Sequence, residues 1–148
     1  MEKVTLADLE LIEAWSDTDE RRGARFNFPM FSSTGARASA VVYCEVDPGK
    51  HLGMHTDSAE EVVLVVEGSA EVVVGGERGR LETGEMALVP AMVPHDVICA
   101  GDQPVRFVGW FASATVVSVF DEPFAPIGKR VLGTPLPEET ALEEQGIG

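Results

Sequence analysis

The stretch HLGMHTDSAEEVVLVVEG, His51 to Gly68, places two of the chain's three histidines beside Asp57, Glu60 and Glu61 and then runs into apolar sequence. Imidazoles and carboxylates in close company are the side chains that hold first-row divalent metals. In an extended strand alternate residues share a face, so His51, His55 and Asp57 point one way while Leu52, Met54 and Thr56 point the other. Glu61 follows Asp57 after SAE, which is enough chain to turn back and bring it beside His55 in a hairpin. The third histidine, His95, opens another apolar run, HDVICA, behind the proline-bounded approach VPAMVP. Two readings compete for His55, Asp57, Glu61 and His95: a solvated turn that is polar by chance, or a set of metal ligands aimed into a barrel. Each has a plainer reading beside this one. His55 and His95 could be hydrogen-bonded core histidines, Glu61 a solvated hairpin charge like Glu60, and Asp57 a turn residue. His51, at the outer end of its strand, belongs to the rim. Cys99, four residues after His95, shares its inward parity and is a candidate substrate contact, against the alternative of a small packed thiol.

Strands must position these residues. RFNFPMF, SAVVYCEV, HLGMHT, EVVLVVE, AEVVVG, MALVP, HDVICA, VRFVGWFA and TVVSVF are β-rich runs, separated by the turn clusters DPG, EGS, GGERG, ETGE and AGDQP. So many short strands without helical patterns between them imply an antiparallel sandwich or barrel. Only the N-terminus reads as helix, with Thr5 and Asp8 as a capping pair and Leu6, Leu9, Ile12 and Trp15 as an apolar stripe. Beyond Phe120 four prolines, Pro123, Pro126, Pro135 and Pro137, favour extended chain, with a turn of helix at ETALEEQ. The expected organisation is one domain over 1–148, with a barrel core of about 26–120 and a proline-rich tail over 121–148.

The chain of 148 residues carries a formal charge of -14, which repels phosphate backbones and anionic membranes. Nucleic acid is thus excluded as a partner, and no apolar run reaches the roughly 20 residues that span a bilayer. MEKVTLADLELIEAW lacks a signal-peptide layout, so the expected location is the cytoplasm. Cys44 and Cys99 are too few for a disulfide framework and are expected to be reduced. There is no glycine-framed serine elbow, phosphate loop or dinucleotide fingerprint. The apolar VRFVGWFASATVVSVF suggests a covered outer sheet face, hence a homodimer, with the N-terminal segment or the tail crossing to the partner.

The spacing resembles that of the cupins. Gly49, five residues, His55, Asp57, Glu61 and Gly68 follow their first motif, except that Asp57 stands where a second histidine is expected. Gly84, Pro90 and His95 follow the second motif, with Met92 in place of its glycine and Cys99 in place of its asparagine. The resemblance covers Gly49 to Cys99. It implies an all-β double-stranded β-helix, a jelly-roll barrel of six to eight strands, with a divalent transition metal held by His55, Glu61 and His95. Asp57 would then ligate directly or orient a ligand from behind. The implied function is a metal-dependent dioxygenase or isomerase acting on a small organic ligand. The alternative is a barrel that binds or senses a ligand without chemistry. His55-x-Asp57 with His95 is also similar to the facial triad of Fe(II)/2-oxoglutarate oxygenases, in which Arg106 would bind the co-substrate carboxylate; the Glu61 match favours the cupins.

Overall fold

A computed structural model of the chain describes residues 1–134, and the expected helical turn at ETALEEQ lies outside them. Twelve strands occur among the described residues: β1 (Ile12–Trp15), β2 (Gly23–Met30), β3 (Ala40–Val46), β4 (His55–Asp57), β5 (Glu61–Glu67), β6 (Ser69–Val74), β7 (Glu77–Glu82), β8 (Met86–Val89), β9 (His95–Cys99), β10 (Val105–Phe111), β11 (Val117–Phe124) and β12 (Lys129–Gly133). They form two six-stranded sheets, ordered β1-β2-β3-β10-β5-β8 and β12-β11-β4-β9-β6-β7, antiparallel throughout. Consecutive strands alternate between the sheets through much of the chain, which makes the all-β jelly roll expected from the sequence.

Alternation along the strands decides what faces inward. In β5, Glu61, Val63 and Val65 are buried while Val62, Leu64 and Val66 are half-buried on the outer face. Val46, Val63, Val65, Val72, Val97 and Val105 pack between the sheets as the main core. β-Branched side chains fit such pleated, two-sided packing.

Two elements depart from the sequence reading. The N-terminal helix is absent: a single 3-10 turn at Leu6–Asp8 has no side-chain cap from Thr5, and Ile12–Trp15 is an edge strand. Ala14 is the one buried residue of that strand, and the backbone of Trp15 exchanges hydrogen bonds with Ala125 at 3.0 and 2.7 Å. Sheet pairing satisfies amides that an uncapped short helix leaves open. The second departure is β7, whose ERGRLE overlaps the stretch read as the turn GGERG. It is the charged outer edge of its sheet, which needs no apolar alternation. Strand β11 also runs on past Phe120 to Phe124, and β12 pairs with it.

Candidate metal centre

His55 and His95 face each other directly across β4 and β9, their ring centroids 4.1 Å apart. Each ring is oriented by a local hydrogen bond. His55 Nδ1 donates to the Gly53 carbonyl at 2.7 Å and His95 Nδ1 donates to the Val93 carbonyl at 2.9 Å. Since a carbonyl only accepts, the Nδ1 atoms carry protons and both Nε2 atoms are turned to the interior as potential ligands. Asp57 Oδ2 lies 2.9 Å from His95 Nε2 and 3.7 Å from His55 Nε2, and Glu61 Oε1 lies 3.4 Å from His95 Nε2. One ligand atom each from His55, Asp57 and His95 lies within 4.8 Å of the others. Glu61 flanks this trio on the His95 side. All four residues are buried.

The hairpin expected to join His55 and Glu61 does not form. β4 pairs with β9 and β11, whereas β5 pairs with β10 and β8 in the other sheet, so the chain crosses the barrel at residues 58–60. Glu61 reaches the cluster from the opposite wall. Its carboxylate rests on the backbone of Gly109, where a Cβ would overlap Glu61 Oε2. Asp57 is held by Ser118, whose hydroxyl donates to Oδ1 and leaves Oδ2 pointing at the histidines.

Burial and charge pull these groups in different directions. Burial lowers the His55 pKa, and the nearby His95 adds to this. His95 is pushed down by burial, yet the carboxylates of Asp57 and Glu61 beside it raise it to about 10. Burial favours protonated Asp57, but the adjacent His95 and the charge of His55 outweigh it and lower the carboxyl's pKa. Glu61 is raised, by burial first, with the charge of Asp57 adding to it. Without a metal, a proton on His95 supplies the positive charge that two carboxylates demand.

The donor set fits a divalent cation. With the His95 proton on Nδ1, Asp57 Oδ2 and His95 Nε2 are two buried acceptors 2.9 Å apart, and neither has a hydrogen-bond partner. Each such orphan costs about 1–3 kcal/mol, and a metal ion satisfies both. Two imidazole nitrogens with carboxylate oxygens are a donor set of the kind that Fe, Mn and Zn accept.

Several supporting residues escaped the sequence reading. Phe120 stacks on His55 at 4.4 Å, and Phe124 meets Phe120 edge-on at 4.8 Å. The Arg22 guanidinium lies 3.8 Å from the Phe124 centroid, and its NH1 donates to the Pro123 carbonyl. Asp96 accepts from the Gly53 amide at 2.8 Å, fixing the residue whose carbonyl orients His55. A glycine inside VRFVGWF was the signal for Gly109, since glycine in a strand marks a close approach. Arg22 and Asp96 gave none.

The remaining candidates lie elsewhere. His51 sits outside the cluster, half-buried, 2.7 Å from Asp96 and 3.3 Å from Asp19. Cys99 is buried in the main core, with Sγ donating to the Gln103 carbonyl at 3.1 Å, and does not line the cavity. Arg106 is on the outer face, 3.5 Å from Glu45 and 3.4 Å from Glu67. Strand parity turns position 106 away from Phe107, which lines the cavity. Cys44 does line it, and both cysteines are free.

The cluster lies on the wall of a cavity of about 280 Å³. Its walls are otherwise apolar, with Phe26, Phe28, Phe107, Phe111, Phe120 and Phe124 prominent. Ile12 and Ile127, both more than a third exposed, stand where the cavity opens to solvent.

Residues 42–111 match the family model of the cupin domain. A search of the curated proteins found no match. Among solved structures, an oxalate decarboxylase in complex with formate from Lactobacillus farciminis aligns with a TM-score of 0.67 and 20% identity, over 78% of this chain and 34% of that one. A protein from Acidithiobacillus ferrooxidans provisionally named a sugar phosphate isomerase aligns at 0.61 and 15% identity, over 80% of both chains. A mutant salicylate 1,2-dioxygenase from Pseudoaminobacter salicylatoxidans aligns at 0.53 and 21%, over 60% of this chain and 26% of that one. The chain thus spans about a third of the length of the oxalate decarboxylase. At these identities the likeness is one of fold. With the motif residues in register and the barrel around them, residues 42–111 are a cupin domain.

Proposed function

We propose that this protein is a metal-dependent enzyme acting on a small organic molecule, with dioxygen as the co-substrate its chamber suits best. The observation that carries the reading is the convergence of His55 Nε2, His95 Nε2 and Asp57 Oδ2, two of these atoms orphaned, on the wall of a 280 Å³ cavity. His55, Asp57 and His95 would hold Fe, Mn or Zn, with Glu61 as a fourth ligand or a proton acceptor beside it. A bound metal supplies a Lewis acid and open coordination positions for substrate or dioxygen. The chain's own residues do the rest: Ser118 aims Asp57, the Gly53 and Val93 carbonyls fix the imidazole tautomers, and the phenylalanines exclude water. Apolar walls favour dioxygen over the isomerisation of a polyol, whose hydroxyls need hydrogen-bonding partners. A small-molecule ligand is the only partner this reading requires of the cavity. A homodimer and a cytoplasmic location go with it, the latter supported by two buried free cysteines. Among the described residues no helix is long and apolar enough to cross a membrane.

The test is metal titration of chelator-stripped protein with Fe(II), Mn(II) and Zn(II), followed by oxygen uptake with small phenols, thiols and diketones. One ion per chain is expected, lost in His55→Ala and His95→Ala. Asp57→Asn should lose as much affinity as Glu61→Gln or more, whereas a residue acting only behind the ligands costs about 10- to 100-fold. Metal binding at full stoichiometry in both histidine variants would overturn the reading. Metal binding with no turnover in any assay would favour a ligand-binding barrel.

A further inference from the structure

Resting on the metal-centre reading, we propose that the chamber takes an uncharged, ring-sized organic molecule and discriminates against anions. The cavity wall carries no lysine or arginine among the described residues; its polar groups are the four cluster residues, Ser118 and the Cys44 thiol. The nearby arginines lie behind or outside that wall. Arg22 lies behind Phe124, with NH1 on the Pro123 carbonyl and NH2 buried without a partner, and Arg25 pairs with Glu45 and Asp47 at 3.3 and 2.8 Å. Arg106 faces Glu45 and Glu67, and Arg130 donates to the Phe120 carbonyl at 2.9 Å.

The charge of the centre points the same way. Asp57 stands where the cupin motif carries a second histidine, so this cluster has two carboxylates, Asp57 and Glu61, against two neutral imidazoles. A divalent cation among them leaves a formally neutral site. An anionic substrate would add a negative charge to that site, in an apolar enclosure, with no cationic side chain on its wall to offset it, and such burial is strongly unfavourable. Several solved structures that share this fold are named for oxalate, formate, salicylate, gentisate or a sugar phosphate, all anions. This chamber is built for a different charge class. Size agrees: a dry apolar cavity of about 150 Å³ holds benzene, so 280 Å³ holds a substituted ring. Phe120 and Phe28 offer ring faces and edges for it to pack on.

Benzamide and benzoate have nearly the same shape and differ by one charge. Calorimetric titration of the full chain, both metal-free and loaded with Mn(II), should give benzamide at least about 10-fold the affinity of benzoate, the sense set by the cost of burying a lone charge. Oxalate and glucose 6-phosphate should not displace it. Two variants reverse the charge argument. Asp57→His adds a positive charge to the loaded centre, and Ile127→Arg places one at the cavity mouth on a residue 40% exposed, where the fold tolerates it. Each should raise benzoate affinity and leave benzamide no better. Benzoate equal to or tighter than benzamide in the Mn(II)-loaded protein, binding of neither probe, or benzoate unmoved by Ile127→Arg would overturn the proposal. The outcomes separate the two readings: a chain that takes benzamide but no metal overturns only the metal centre, and one that takes Mn(II) yet prefers benzoate overturns only the ligand class.

Discussion

Glu61 approaches the histidines from the opposite sheet, and the reason it fits is the missing side chain at Gly109. A methyl group there would overlap Glu61 Oε2 and lie 2.9 Å from Val42 Cγ1. Gly109→Ala should therefore swing the carboxylate away from His95. We expect metal affinity to fall by about 10-fold or more, as for other residues that orient ligands, and stability to fall by about 1–3 kcal/mol from overpacking. Metal titration beside a denaturant curve checks both. Unchanged affinity would mean that Glu61 contributes nothing to the centre. His55 and Asp57 were legible in the sequence because strand parity puts them on one face, and His95 because it opens an apolar run in register with the second cupin motif. Asp96 and Arg22 were not, because a buried, hydrogen-bonded charge and a solvated one look the same in sequence, whether Arg22 in SDTDERRG or Asp96 in HDVICA.

The loop before β9 shows how an element bears a local conflict. Met92 is the one non-glycine with positive φ among the described residues, at 64°, and it stands where the cupin motif has glycine. Its amide donates to the Asp57 carbonyl at 2.8 Å, so the turn is tied to the strand that carries two candidate ligands. A left-handed conformation costs an L-residue roughly 1–2 kcal/mol, and the side chain, 60% exposed, recovers little by packing. Met92→Gly should stabilise the protein by about 0.5–1 kcal/mol after the glycine's larger unfolded-state entropy is subtracted. A shift of the denaturant midpoint to higher concentration at constant slope is the expected result, and a shift to lower concentration would contradict it. Strands of this barrel were readable wherever β-branched and other apolar residues ran together between turn clusters, as in EVVLVVE. The edge strands β1 and β7 were not: an edge needs only backbone pairing on one side, so its side chains are free to look like helix or turn. Pairing between strands was also unreadable, since chain length allows a hairpin after Asp57 as readily as the crossing that occurs.

At the scale of the molecule, the outer face of the first sheet is apolar across several strands. Register aligns Leu88, Val62, Trp110 and Val41 in one row and Met86, Leu64, Val108 and Tyr43 in the next. Leu88, Met86 and Trp110 are 57%, 64% and 42% exposed. Contiguous apolar surface of this kind marks an interaction site, and we expect it to pair with a second copy. Sedimentation should give a dimer, and Leu88→Glu with Trp110→Glu should give a 15.8 kDa monomer that still binds metal. A wild-type monomer at micromolar concentration would count against this.

The cavity mouth has an owner in time as well as in space. Ile12 belongs to β1 and Leu132 to β12, each the outermost strand of its sheet, while Ile127 sits in the turn that precedes β12. The door is thus hung on the two ends of the described chain, and the ligands on its middle. Edge strands near chain ends open locally at far lower free energy than central strands. Passage of a guest should follow the breathing of β1 and β12, leaving β5, β9 and β10 at rest. Amide hydrogen exchange should be fast in β1 and β12, slow in those central strands, and slowed in the outer pair when a guest such as benzamide is bound. The centre can then stay rigid while the traffic through it is set by strands that carry none of its chemistry.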